Sequence, residues 1–165
     1  MSVLITQLEI VNQIELDEHF SVNNIKDARI QKCELLLANE FLGESFYAQL
    51  KTDRTDVGTF STFQVFYDTY LKTLLSEYIV LSLVTQKVLG VSNKGIDEIG
   101  ATNLKALYGY ETKMQHEVET SKRLITSYAM AASRVLLYAN FLGNNINSTT
   151  SKTTERKIVF GFNIS

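Results

Sequence analysis

The sequence predicts a mainly α fold: a single helical bundle of about four helices, with a long inter-helix loop and an extended, strand-like C-terminal tail. Three observations predict it. Apolar residues recur at three- and four-residue steps along most of the chain up to Leu142, the spacing of one face of an α-helix. Glycines and short polar clusters, never prolines, separate these runs. The final KIVFGFNIS switches to a period of two, which is strand spacing. A chain of 165 residues is one domain by size and can bury about two-thirds of its unfolded surface without disulfide or metal staples. It divides into a helical domain, residues 1–143, and a polar linker with the extended tail, residues 144–165.

Each element follows from its residues. Val3 to Ile14 is either a short helix after Thr6 or a strand. The first clear helix carries Ile25, Arg29, Ile30, Cys33, Leu36, Leu37 and Phe41 at helical steps, with Asn23 or Asn24 as N-cap and Gly43 ending it as a left-handed C′ residue. GESFYAQL follows as a short helix with Phe46, Tyr47 and Leu50 on one side, and KTDRTDVGTFST reads as a loop. Ser61 or Thr62 caps the next helix, whose apolar positions run from Phe63 to Leu89. Between Leu74 and Val84 its other faces are apolar too (Leu75, Ile79, Val80, Leu83), so it is expected to be buried on more than one side as the central element.

Residues 90–103, GVSNKGIDEIGATN, form the long inter-helix loop, and loops of that length inside a domain are often functional. From Thr102 or Asn103 two seven-residue series interleave. Leu104, Glu111, Val118, Ile125, Ala132 and Ala139 make one, and Leu107, Met114, Ser121, Tyr128, Val135 and Leu142 the other. One helix over 103–142 would be about 60 Å long, wider than a domain of this size, so it projects or breaks. Gly109 and the Thr126–Ser127 pair are the candidate breaks, and Gly143 with Asn144 and Asn145 is the stop. NNINSTTSKTTERK is expected to be extended or mobile. Ile158, Phe160, Phe162 and Ile164 then form the apolar face of the tail strand, which needs a dock on its own bundle or on a neighbouring chain.

Composition narrows the function classes. Zero proline, where average usage would place about eight, removes proline helix stops and polyproline ligands. One cysteine excludes an internal disulfide framework and any cysteine-based metal cluster within one chain. MSVLITQLEI lacks a basic start and is interrupted by Gln7 and Glu9, so no signal peptide is expected. The most apolar stretch, Leu71 to Leu89, carries Lys72, Glu77, Gln86 and Lys87, which argues against a membrane span. A formal net charge of −2 argues against sequence-specific nucleic-acid binding, which needs a basic face. The charge is uneven along the chain, however. Residues 1–42 hold seven acids and three bases, whereas residues 102–143 hold three acids and five bases. This is either scatter over a near-neutral surface or a polarity that brings unlike faces of two copies together.

No catalytic set emerges, and no cofactor is implied. His19 and His116 lack the Glu-x-x-His spacing of a di-iron bundle and read as solvated positions. Cys33 lies on the apolar stripe of its helix and reads as a buried structural thiol. Gly90 to Gly95 is similar to a phosphate loop but lacks the spacing and follows a helix rather than a strand. Asn147-Ser148-Thr149 and Asn163-Ile164-Ser165 match the glycosylation sequon, read as chance in the absence of a secretory signal. The seventeen Tyr and Phe residues concentrate in 41–80 and near the C-terminus, and most read as core.

Three stretches together resemble a known family. Leu42, Gly43, Glu44, Phe46, Tyr47 and Leu50 carry an "LG-E-x-F-Y-x-x-L" pattern after a helix, in the segment NNIKDARIQKCELLLANEFLGESFYAQL. The long helix FYDTYLKTLLSEYIVLSLVTQKVLG is followed by a turn at Ser92, Asn93, Lys94, Gly95 and Ile96. Lys122, Arg123, Leu124, Ile125 and Tyr128 resemble the family's final "R-L-I-x-Y", with one residue added before the Tyr. In this order they resemble head–tail connector (neck adaptor) proteins of tailed bacteriophages, with the nearest likeness to the neck ring proteins of crAss-like phages. The likeness covers roughly residues 23–142; the apolar stretch after Tyr128 and the tail depart from it.

The resemblance implies a structural, non-enzymatic virion protein, located in the phage neck and assembled in the host cytoplasm. It implies a helical adaptor in a twelve-fold ring of its own copies beneath the portal, with the portal protein and further neck or tail proteins as partners and genomic DNA passing through. Contact surfaces, not a catalytic set, would be its functional residues. The Ser92, Asn93, Lys94, Gly95, Ile96 turn would lie at a subunit interface, and Ile158, Phe160, Phe162 and Ile164 are the docking candidates of the tail. The alternative reading is an intracellular helical interaction module that dimerises through a coiled-coil-like seam on the last helix.

Overall fold

The structure, a computed structural model, describes residues 3–14, 25–56, 58–94, 101–131, 133–134 and 136–141. It is mainly α-helical, a bundle with one small two-stranded sheet. Helix α1 spans Gln7–Gln13. Thr6 and Glu9 form its capping box: the Thr6 hydroxyl accepts from Glu9 N–H and the Glu9 carboxylate accepts from Thr6 N–H. The helical alternative for Val3–Ile14 is thus the one the chain adopts.

Helix α2 spans Asp27–Leu37 and runs on through a π turn, Ala38–Leu42. Its N-cap is Lys26, in extended backbone with no side-chain bond, rather than Asn23 or Asn24, which lie outside the described residues. Gly43 ends the run with φ 87° and ψ 138°, a conformation open only to glycine rather than the left-handed α region expected. That sharp turn lets helix α3, Glu44–Asp53, start at once.

The expected loop 51–62 is more ordered than its composition suggested. Strands β1, Arg54–Asp56, and β2, Thr59–Phe60, pair antiparallel about Gly58, whose φ is 74°. Neither Ser61 nor Thr62 caps the next helix; Phe63 occupies that position. The Asp53 carboxylate, at the end of α3, accepts from Thr62 N–H and Phe63 N–H at 2.9 Å and from the Ser61 hydroxyl. One side chain thereby closes α3, the hairpin and the next helix into a unit.

Helix α4, Gln64–Phe66, a π turn, Tyr67–Leu71, and helix α5, Lys72–Lys94, follow without interruption. Leu74, Leu75, Ile79, Val80 and Val84 are all fully buried, and α5 packs against α1, α2 and α6, so it is the central element. It does not stop at Leu89. A helix already propagated over four turns tolerates Gly90 at a cost of about 1 kcal/mol, and nothing in Val91 to Lys94 forbids continuation. Helix α6, Ala101–Ala129, begins before the expected Thr102 or Asn103 cap. The connection expected over 90–103 is therefore narrowed from both sides.

Helix α6 passes through Gly109, where a Cβ would meet nothing within 4 Å, and ends at Ala129, just past the Thr126–Ser127 pair. The reason for the end lies further along. Tyr138 and Phe141 are 2% and 0% exposed, inserted among Phe41, Phe46, Phe63 and Phe66 with ring centroids 5.0–5.7 Å apart. A straight helix would leave both rings in water; turning back after Ala129 buries them, each ring pair adding about 0.5–1.5 kcal/mol beyond area. Arg134 secures the turn, donating to the Tyr128 carbonyl at 3.3 Å and lying over the Tyr128 ring at 3.8 Å.

Candidate functional site

Ser92, Asn93 and Lys94 form the last turn of α5, not the loop turn expected of them. Gly95 and Ile96 lie outside the described residues, as do Ile158, Phe160, Phe162 and Ile164, His19 and the expected tail strand. Most of the expected contact set thus lies outside the described residues, and the described surface offers its own features.

That surface has three features. The first is a groove of about 670 Å³ between α2 and α5, walled by Cys33, Leu36, Tyr78 and Leu81 and rimmed by Arg29 and Lys32. Arg29 donates across it to the Gln86 side chain, and Tyr78 donates to Glu40 at 3.0 Å. Cys33 is 1% exposed, and burial pushes its thiol pKa up, with the Ser82 hydrogen bond only partly offsetting this. It is the buried thiol its helical stripe predicts, and burial outweighs the lowering effect of Arg29 and Lys32 on its pKa.

The second feature is two groups of exposed large apolar side chains. Leu8, Leu35, Leu36 and Val65 lie on α1, α2 and α4; Leu124, Met130, Leu136 and Leu137 lie on the end of α6 and the turn after it. Leu136 is 92% exposed. Scattered apolar residues are ordinary on a surface, but four within fourteen positions of one turn-back are concentrated.

The third feature was not found from the sequence. Glu34, 0% exposed on α2, accepts from Leu4 N–H and Ile5 N–H at Oε1 and from the Tyr47 hydroxyl at 2.9 Å at Oε2, with Lys51 Nζ 3.7 Å away. Burial raises its pKa, and Lys51, Tyr47 and the two N–H groups oppose that rise without cancelling it. Glu9 makes the counterpart contact: its Oε1 accepts from the Tyr67 hydroxyl at 3.1 Å and lies 3.8 Å from Lys72 Nζ. Burial, followed by the facing carboxylate, raises the pKa of Tyr47 and of Tyr67. A sequence signal existed for both. Thr6-x-x-Glu9 is a capping-box pattern, and Glu34 is the one charged residue at helical spacing between Ile30 and Leu37.

One more carboxyl is enclosed, Glu77 of α5. It bonds the Ser121 hydroxyl of α6, its Oε2 has no hydrogen-bond partner, and burial together with nearby Glu117 raises its pKa. No three His, Cys, Asp or Glu side chains among the described residues are placed to hold a metal ion, and no helix is long and apolar enough to cross a membrane. His116 is exposed, as expected.

No protein family, curated protein or solved structure matches the chain. What the arrangement can do is consequently argued from its surfaces. The groove and the two apolar groups are surfaces suited to packing against another polypeptide.

Proposed function

We propose that the chain is a structural virion protein, a subunit of a twelve-fold ring that joins the portal of a tailed phage to its tail. The observation that carries the proposal is the presence of exposed large apolar side chains on two segments of opposite charge balance. Leu8, Leu35 and Leu36 lie in or beside the acidic 1–42 segment, and Leu124, Met130, Leu136 and Leu137 lie in the basic 102–143 segment. A ring is built from head-to-tail contacts, so each subunit presents two unlike patches, one to each neighbour. The order of the LG-E-x-F-Y-x-x-L, SNKGI and R-L-I patterns supplies the phage-neck context. The coiled-coil dimer has less to use: Leu107, Met114, Val118, Ser121 and Ile125, its seam, are buried in the bundle where α6 packs along α5.

Mass measurement of the purified chain, alone and mixed with a portal protein, tests the reading. A high-order ring, or one that forms when portal is added, is expected. A stable dimer indifferent to portal overturns it.

A further inference from the structure

We propose that residues 3–5 are a pH-gated strap held shut by the Glu34 carboxyl group, closed at low pH and released as pH rises. Three observations carry it. Leu4 and Ile5 are 0% exposed, yet among the described residues no backbone group accepts from their N–H groups, which both go to one side-chain oxygen thirty and twenty-nine residues away. That oxygen belongs to a carboxyl group with no exposure of its own. The rest of the segment has separate fastenings, Thr6 to Glu9, Glu9 to Tyr67 and Lys72, and Gln13 to Thr73 at 2.9 Å, so α1 stays seated as a hinge when residues 3–5 lift.

The direction of the gate follows from what faces Glu34. The N-terminal segment presents only backbone N–H groups; α3 presents the Tyr47 hydroxyl and, at 3.7 Å, the Lys51 ammonium, and Arg54 of β1 acts on Tyr47 from behind. Burial disfavours the ionised carboxylate more than these groups favour it, so the closed strap holds a proton that the open, hydrated Glu34 releases. With the proton on Oε2, the Tyr47 hydroxyl turns to accept it, and Oε1 remains free to accept both N–H groups. The closed state binds more protons than the open one. Closure is therefore complete below the ordinary carboxyl range and weakens as pH rises through the raised value. The device is independent of ring formation, since every group in it belongs to one chain.

Peptide-resolved amide hydrogen exchange of the full chain between about pH 5 and pH 8, corrected for intrinsic exchange, tests it, with α6 peptides as the internal reference. In the natural protein, protection of residues 3–5 is expected to fall with pH by up to about tenfold per unit while α6 holds. In Glu34→Gln the same peptide should show no pH dependence. In Tyr47→Phe, which keeps the carboxyl but removes a donor that favours its ionised form, the fall should move to higher pH. A matching decline in Glu34→Gln, an unmoved midpoint in Tyr47→Phe, or loss of strap and α6 protection together each overturns the proposal.

Discussion

Glu9 and Gly58 meet at a single point, and the meeting decides what position 58 tolerates. A Cβ on Gly58 would sit 2.8 Å from Glu9 Oε1, the atom that accepts from Tyr67 and faces Lys72. The carboxylate cannot swing away without dropping those partners, and φ of +74° already strains any L side chain. Gly58→Ala is expected to cost about 1–3 kcal/mol, read as a lower melting temperature in thermal unfolding. An unchanged melting temperature would show that Glu9 relaxes freely. Composition alone marked Gly58 only as part of a polar loop; its role depends on a carboxylate forty-nine positions earlier, which no local pattern reports.

Elements were legible where one stripe decides them and illegible where a distant partner does. The stripes of α2, α3 and α5 and the burial of α5 on several sides follow from apolar spacing, and the structure has them. Of the two candidate breaks in α6, Gly109 and Thr126–Ser127, the helix ends beside the second, a choice no local pattern makes because it is set by Tyr138 and Phe141 finding Phe46 and Phe63 across the bundle. The start of α4 was assigned to Ser61 or Thr62, residues with good capping side chains, whereas the carboxylate that caps it arrives from α3. Asp53→Ala is accordingly expected to destabilise the fold by about 1 kcal/mol at neutral pH. Burial raises the Asp53 pKa, but the Ser61 hydroxyl and the Phe63 and Thr62 N–H groups outweigh it, so the carboxyl sits below its usual range. Its stabilisation is present above the unfolded pKa and is lost as pH falls through the folded value. Stability measured against pH should show the variant and natural protein converging in acid; a constant gap would mean that the cap does not act through its charge.

For the whole molecule, the candidate contact set was legible only as chemistry. Ser92 to Lys94 proved helical because helix propagation overrides a local turn pattern, and the exposed groups around Leu8 and Leu136 became visible only once burial had removed the other apolar residues from consideration. Deleting residues 152–165 is expected to weaken ring assembly while leaving helical circular dichroism unchanged, since the described core is complete by Phe141. Loss of helical signal on that deletion would refute it. The N-terminal strap carries a different consequence, for the order in which the molecule is made. Leu4 waits for Glu34, Glu9 for Tyr67 and Gln13 for Thr73. At ribosomal speeds of roughly 5–20 residues per second, Gln13 is made about 3–12 s before Thr73 exists. Residues 4–13 are thus synthesised before each of the side chains that seat them.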